Sequence, residues 1–331
     1  MASLRSIETE GFDVIGDVHG YADKLVKLLE RMGYREHADS YRHPSRTAVF
    51  IGDLIDRDVR IGDSDQRDVV RIVRSMVENG AARIVMGNHE FNAISWATPD
   101  PEKPKDHLRT HEGPKGIDNR KHHDQFVIEV REGSDEHREI VSWFRTIPLW
   151  IDLGQVRFVH ACWFEESMKV LRPHLTSDLR LTDEALIRGN RKGDDVYNAI
   201  ENVLKSPEAE LDEQYHYLDK DDIVRKKGRV RWWDPDADTL RTAIDIGGHV
   251  KTLDGQSHPG LPDTPTNIAE KFRYRDDVPV FFGHYWRTGA PSLADRHAVC
   301  VDYSAGRGGP LVAYRWSGGA LSDSDFVSVG A

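Results

Sequence analysis

Phe12-Asp13-Val14-Ile15-Gly16-Asp17-Val18-His19-Gly20 joins an apolar run to a glycine and then to two side chains of metal-ligand type. Phe12 to Ile15 reads as a buried strand, and Gly16-Asp17 as the point where the chain leaves it. The pattern returns twice. Thr47-Ala48-Val49-Phe50-Ile51 runs into Gly52-Asp53-Leu54-Ile55-Asp56-Arg57, and Arg83-Ile84-Val85-Met86 into Gly87-Asn88-His89-Glu90. Between these runs, Leu25, Leu28, Leu29 and Met32 recur at helical spacing before Gly33, and Val69, Val70, Ile72, Val73, Met76 and Val77 before Asn79-Gly80. The order is β-α-β-α-β. Asp17 and Asp53 are 36 residues apart, Asp53 and Asn88 35. That is the reach of a βαβ unit, so the three runs are expected on the carboxyl edge of one sheet, where α/β folds place ligands.

Further along, residues 95–125 are rich in Pro, Lys, His and Asp and read as an exposed excursion. Residues 125–130 fit a strand or a helix, and residues 140–144 a helix. Residues 147–153 and 156–159 flank Gly154-Gln155 as a hairpin ending at His160. Residues 164–277 are a charged insertion with helical stretches at 183–187 and 195–204. Residues 278–282 form another apolar run, ending in Gly283-His284. Residues 298–303 and 311–316, joined by the Gly-rich 304–310, are expected as an antiparallel pair. This divides the chain into a core, residues 1–163 with 278–331, and an inserted, mainly helical cap, residues 164–277, within the same domain.

Composition narrows the function classes. With 331 residues, 38% hydrophobic and 31% charged, the chain is expected to be soluble and globular, with a sizeable core. No apolar stretch reaches the roughly 18–20 residues that span a bilayer, and residues 1–10 lack the apolar centre of a signal peptide; no membrane partner and a cytoplasmic address are expected. Cys162 and Cys300 are the two cysteines. They rule out a disulfide framework and are expected as buried small hydrophobes. A formal net charge of −11 disfavours gripping a long polyanion, so nucleic acid is expected only as an end-processing substrate. His107, His111, His122, His123 and His137 fall in the polar stretch and are expected as solvated loop histidines; Trp232-Trp233 and Tyr285-Trp286 are expected in packing.

Carboxylates, imidazoles and an amide oxygen arriving together from strand ends are the ligand set of a two-metal hydrolytic centre. A carboxylate bridges two ions best, because each oxygen can serve one, and Asp53 in the middle run is placed to do so. Asp17 and His19 can face one ion across Val18. Asn88 offers an amide oxygen, and His160 and His284 complete the second ion. His89 follows a ligand and sits beside the cluster, where a protonated imidazole can donate to a leaving-group oxygen with Asp56 on its other nitrogen. Arg57 can grip phosphate oxygens through its planar fork.

Gly-Asp-x-His-Gly, Gly-Asp-x-x-Asp-Arg and Gly-Asn-His-Glu, in this order and at these spacings, resemble the calcineurin-like metallophosphoesterases, most closely their phosphoprotein phosphatase branch. That branch includes Ser/Thr phosphatases, the bacteriophage lambda phosphatase and bacterial symmetrical diadenosine tetraphosphatases. Phe158-Val159-His160-Ala161 resembles the strand-then-His-Ala of the last two, and Cys300-Val301-Asp302-Tyr303, with the Gly-rich turn and Pro310-Leu311-Val312-Ala313, their final hairpin. The resemblance spans residues 12–91, 147–163 and 278–316. Other branches carry Gly-His-x-His where this chain has Gly283-His284-Tyr285-Trp286, which favours the phosphatases over nucleases and cyclic-nucleotide enzymes.

The resemblance implies an α/β fold: a β-sandwich flanked by helices around the βαβαβ core. It implies a phosphoric ester hydrolase with two divalent ions, Mn²⁺ foremost and Fe, Zn, Co, Ni or Mg as alternatives. Asp17, His19 and Asp53 would hold one ion, and Asp53, Asn88, His160 and His284 the other. A hydroxide bridging the ions would attack, with His89 as acid, Asp56 behind it and Arg57 on the phosphate. The first substrate expected is a phosphomonoester of phosphoprotein type. Dinucleoside polyphosphates, polynucleotide ends and a non-catalytic phosphate sensor are the alternatives. Two departures stand out: Asp58 follows Asp56-Arg57 where the family has glycine, and 124 residues separate His160 from His284. The insertion is expected to cap the centre and to set substrate choice. A second phosphate-gripping arginine is expected within it, with Arg188, Arg229 and Arg231 as candidates.

Overall fold

A computed structural model describes residues 9–56, 65–219, 222–247 and 250–330. Strand β1 (Phe12–Ile15) is buried along its whole length, with Phe12, Val14 and Ile15 supplying apolar groups as a strand covered on both faces requires. It pairs in parallel with β2 (Thr47–Phe50), which pairs in parallel with β3 (Ala82–Ile84). Helices α1 (Ala22–Arg31) and α2 (Gln66–Glu78) are the crossovers. Gly33, at φ 96°, ends the first by letting the Tyr34 N–H turn back to the Leu29 carbonyl. Asp65 opens the second, its side chain accepting from the Asp68 N–H. The next crossover begins with α3 (Asn88–Ala97), directly after β3.

The polar stretch is folded rather than extended. A short hairpin, Pro99–Asp100 with Lys103–His107, leads into α4 (Gly113–Glu129), which settles residues 125–129 as helix; α5 (Asp135–Phe144) follows. His123 and His137 are buried rather than solvated, because α4 and α5 turn one face each inward beneath a polar exterior.

The expected hairpin forms as β4 (Trp150–Asp152) with β5 (Arg157–Val159). After it come α6 (Glu165–Leu171), α7 (Asp183–Arg188) and α8 (Asp195–Lys205). The mainly helical expectation for the insertion ends there. Glu208–Glu210, Lys227–Val230 and Ile244–Asp245 form one small three-stranded sheet, and Tyr217–Leu218, Val224–Arg225 and Lys251–Thr252 another, so the insertion is mixed. The helical half packs into the main core through Met168, Leu186 and Val203, whereas Leu211, Val230, Ile244 and Leu261 form a separate apolar cluster.

Strands β6 (Val280–Phe282) and β7 (Ala298–Cys300) then pair in parallel, and β6 also runs parallel to β5. Strand β8 (Leu311–Trp316) joins the first sheet antiparallel to β1, with β9 (Phe326–Val329) outside it. The expected antiparallel pairing of residues 298–303 with 311–316 is therefore wrong. The two segments lie in different sheets, and the Gly-rich link crosses between them. The sheet orders are β9-β8-β1-β2-β3 and β7-β6-β5-β4. Val14, Val49 and Val85 of the first meet Phe158, Phe281 and Val299 of the second in one apolar cluster, while the alternate residues Ile15, Phe50 and Ile84 pack with the helical core. This is a sandwich with helices outside it, as the resemblance implied.

Candidate metal centre

The carboxyl ends of β1, β2, β5 and β6, together with the N-terminus of α3, deliver Asp17, His19, Asp53, Asn88, His160 and His284 to one edge, all six of them buried. Glycines make the convergence possible. A Cβ on Gly283 would stand 2.1 Å from Asp17 Oδ1, and one on Gly87 2.3 Å from the Asp53 N–H. The chain also turns under strain. His19, Asp53, Asp56, His284, Trp286 and Ser304 all adopt φ between 46° and 69°, a region costly for residues with a Cβ and concentrated at functional sites.

Asp53 Oδ2 is the hub. Nε2 of His160, His89 and His19 lies 3.4, 3.8 and 3.9 Å from it. Each ring is turned by its other nitrogen: Nδ1 of His160 meets the Ile51 carbonyl at 2.7 Å, Nδ1 of His19 the Ile55 carbonyl at 2.8 Å, and Nδ1 of His89 the Asp56 carboxylate at 2.7 Å. Such outer bonds fix tautomer and orientation at metal sites. Asn88 Oδ1 is 3.1 Å from His160 Nε2. Asp17 Oδ2 accepts from the His284 N–H at 3.1 Å.

The electrostatics of this edge favour positive charge among its carboxylates. Burial pushes the Asp17 carboxyl well up, and the nearby charges of Asp302 and Asp53 add to it. Burial also disfavours a charged His160 and His89, yet Asp53 together with Asp17 raises the first to about 10, and Asp53 together with Asp56 raises the second to about 9. Protons thus sit where cations would. Burial and the Arg229 guanidinium keep His284 neutral. Asp17 Oδ1 and both ring nitrogens of His284 are buried without a hydrogen-bond partner among the described residues. Two groups, His19 with Asp53 and His89, and Asp53 with His160 and His284, each bring their ligand atoms within 4.8 Å of one another and could hold an ion. Unpaired acceptors of hard and borderline type, in a field strong enough to trap protons, fit divalent metals. The first group includes His89, which the sequence reading assigns to acid chemistry.

Three residues without a role in the sequence reading support this edge. Glu90 accepts from the Gly87, Asp53 and Leu54 N–H groups at 3.0, 2.9 and 2.8 Å, tying the Asp53 turn to the start of α3; burial first, then Asp53, raise its carboxyl to about 7. His123 donates to Asp56 Oδ1 at 2.8 Å, so Asp56 sits between two imidazoles. Asp302 accepts from the Trp286 and Ser304 N–H groups at 2.7 and 2.9 Å. Glu90 adjoins a recognisable run and Asp302 precedes the Gly-rich turn; His123, 67 residues from Asp56, carries no local signal. Of the candidate arginines, Arg229 reaches the centre, donating to the His284 carbonyl at 3.0 Å, whereas Arg188 is engaged by Asp194 and Asp195. Arg57 and Asp58 lie outside the described residues.

A sequence profile described as calcineurin-like phosphoesterase matches residues 12–285. An asymmetrical bis(5'-nucleosyl)-tetraphosphatase PrpE from Halalkalibacterium halodurans is 43% identical over 79 residues, 24% of this chain and 30% of its own. Its Bacillus subtilis counterpart is 32% identical over 158 residues, 45% of this chain and 57% of its own. The chain thus spans between 30% and 57% of the length of these relatives. A symmetrical bis(5'-nucleosyl)-tetraphosphatase from Aggregatibacter actinomycetemcomitans is 24% identical over 319 residues, 92% of both chains. Among the described residues, no helix is long and apolar enough to cross a membrane.

Proposed function

From the premise that the chain belongs to the calcineurin-like phosphoesterase family, we propose that it is a metal-dependent phosphoric ester hydrolase acting on bis(5'-nucleosyl) tetraphosphates and releasing two nucleoside diphosphates. The observation that carries the hydrolytic reading is the convergence of three imidazole Nε2 atoms on Asp53 Oδ2 within 3.9 Å. Asp17, His19 and Asp53 would hold one divalent ion, and Asp53, Asn88, His160 and His284 the other, with Mn²⁺ the foremost candidate. Bound there, the ions supply an activated water and neutralise charge on the phosphoryl oxygens.

The chain's own groups do the rest. His89 keeps its Nδ1 proton on Asp56 and presents a second proton on Nε2 to the departing oxygen, the work of a general acid. His123 holds the far oxygen of Asp56, so that the carboxylate faces His89 in one orientation. Arg229, and Arg57 by its place in the sequence run, are the phosphate-gripping arginines. His89 acts as acid rather than ligand because its Nδ1 is held by the Asp56 carboxylate, which favours the charged imidazole, whereas Nδ1 of His160 and of His19 meets a backbone carbonyl.

The nucleotide substrate is supported by the tetraphosphatase relative matched along 92% of both chains; symmetrical cleavage rests on the same match, since the asymmetrical relatives match less than half of this chain. The test is product analysis with Mn²⁺ present. Diadenosine tetraphosphate should yield two ADP and be cleaved faster than phosphoserine or phosphothreonine peptides. ATP with AMP would contradict the symmetrical assignment, preference for phosphopeptides or nucleic-acid ends would replace the substrate class, and binding without turnover would make the protein a sensor.

A further inference from the structure

Arg109 follows the hairpin of Pro99–Asp100 with Lys103–His107, and its N–H is held by the Ser95 carbonyl of α3 at 3.0 Å. Its Nη1 donates to Asn92 Oδ1 at 2.9 Å, a neutral acceptor. Its Nε is buried without a hydrogen-bond partner among the described residues. Asp56, Asp118 and Glu201 act on it through charge alone, with no hydrogen bond, and burial outweighs them and draws its pKa down. A guanidinium taken this far out of water without a carboxylate is costly. A neutral donor would serve the Asn92 amide as well.

The surrounding turn holds the arginine still. Buried Asp106 accepts from the His107 and His111 N–H groups, both at 2.8 Å, and from the Thr110 hydroxyl at 2.5 Å. The Thr110 carbonyl in turn accepts from Asn119 of α4 at 3.0 Å. The insertion fastens the same hairpin, where Arg191 grips Asp100 through both terminal nitrogens at 2.5 and 3.1 Å. Asn92 lies four residues after Asn88 and three after His89, on the same face of α3. Helical side chains lean toward the helix N-terminus, so the Asn92 amide reaches back toward the metal edge and holds Arg109 there. Consistent with that placement, Asp56, the partner of His89, is the foremost charge acting on Arg109.

We propose that Arg109, oriented by Asn92, receives the anionic leaving group on the His89 side of the scissile bond, so that the centre selects phosphoanhydrides over esters of neutral alcohols. His89 gives its proton to the departing oxygen. When that oxygen belongs to a phosphate, the other oxygens of the leaving group keep negative charge, and a planar guanidinium held at one nitrogen by an amide has donors left to bind them. A serine or threonine hydroxyl departs uncharged and gains nothing from Arg109. Asn92 is the positioning residue: an aspartate there would hold the guanidinium equally well but cancel its charge. The inference rests on the tetraphosphate reading above and on His89 as the acid.

The test is calorimetric titration of the full-length protein with ADP and with inorganic phosphate at fixed free Mn²⁺. Arg109→Ala should weaken ADP relative to phosphate about tenfold, the effect of removing one charge-assisted contact. Asn92→Asp should weaken it by a similar factor while melting no lower than the wild type, because the new carboxylate pairs with Arg109. A purely structural Arg109 predicts an unchanged ratio of affinities in Asn92→Asp; that result, or an unchanged ratio in a folded Arg109→Ala, overturns the inference. Circular dichroism and metal content check that both variants are intact. The expected drop in a protein that does not cleave diadenosine tetraphosphate would overturn the proposed substrate and leave the anion site standing. Cleavage to two ADP with an unchanged ratio would do the reverse.

Discussion

The Asp56 carboxylate is held by His89 on one oxygen and His123 on the other, at 2.7 and 2.8 Å. Burial opposes its charge, yet the two imidazoles, His123 foremost, keep its carboxyl below the usual range. If His89 is the acid, His89→Asn should lower kcat by about 10²–10⁴ while leaving the metal content intact; equal loss of metal in atomic absorption would make it a ligand. His123→Ala should cost less, about tenfold in kcat, because it loosens Asp56 without removing the proton donor. A kcat unaltered in that variant would reduce His123 to packing. His123 could not be found from the sequence, since its partner is distant and its helix is mostly polar. Asp17, Asp53 and His284 could be, because each follows a short apolar run and a glycine.

Strands and their links explain which parts of the fold were readable. The parallel β1-β2-β3 unit follows from apolar runs and amphipathic helices. The separation of β7 from β8 into two sheets does not, because a glycine-rich link of seven residues suits a hairpin as well as a crossing. Inside β1, the buried Asp13 breaks the apolar pattern. It is paired with Arg46 at 2.8 Å and Arg315 at 3.1 Å, joining the chain before β2 to β8. Asp13→Ala would leave Arg46, whose side chain is only 10% exposed, without its carboxylate partner and with neutral acceptors alone, Ser317 Oγ and the Phe12 and Trp316 carbonyls. The expected loss is about 3–5 kcal/mol of stability in denaturant titrations, and a change below about 0.5 kcal/mol would show that Arg46 finds water instead.

The whole molecule carries a formal charge of −11, and the carboxylates of Asp17, Asp53 and Asp302 gather at the candidate metal centre. His89 and His160 are raised to about 9 and about 10. A histidine with a raised pKa adds stability that is complete below its unfolded value near 6.5 and is lost as the pH passes its folded value. The melting temperature of the chelated protein should therefore fall between about pH 6.5 and 10 from this contribution. Metal ligands must be deprotonated, so metal binding strengthens over the same interval. The gap between metal-loaded and chelated melting temperatures should widen as the pH rises, and a constant gap would contradict the charge pattern. What sequence reasoning left closed was the insertion, whose Arg229 reaches the centre from a small sheet with no periodic signature.

Asp53 is proposed to join two ions in one centre, and electron paramagnetic resonance of the Mn²⁺-loaded protein reports that arrangement directly. Two Mn²⁺ per chain with an exchange-coupled spectrum, replaced by isolated-ion signals in Asp53→Asn, is the predicted result. A single bound ion, or two uncoupled ions in the wild-type protein, would contradict it.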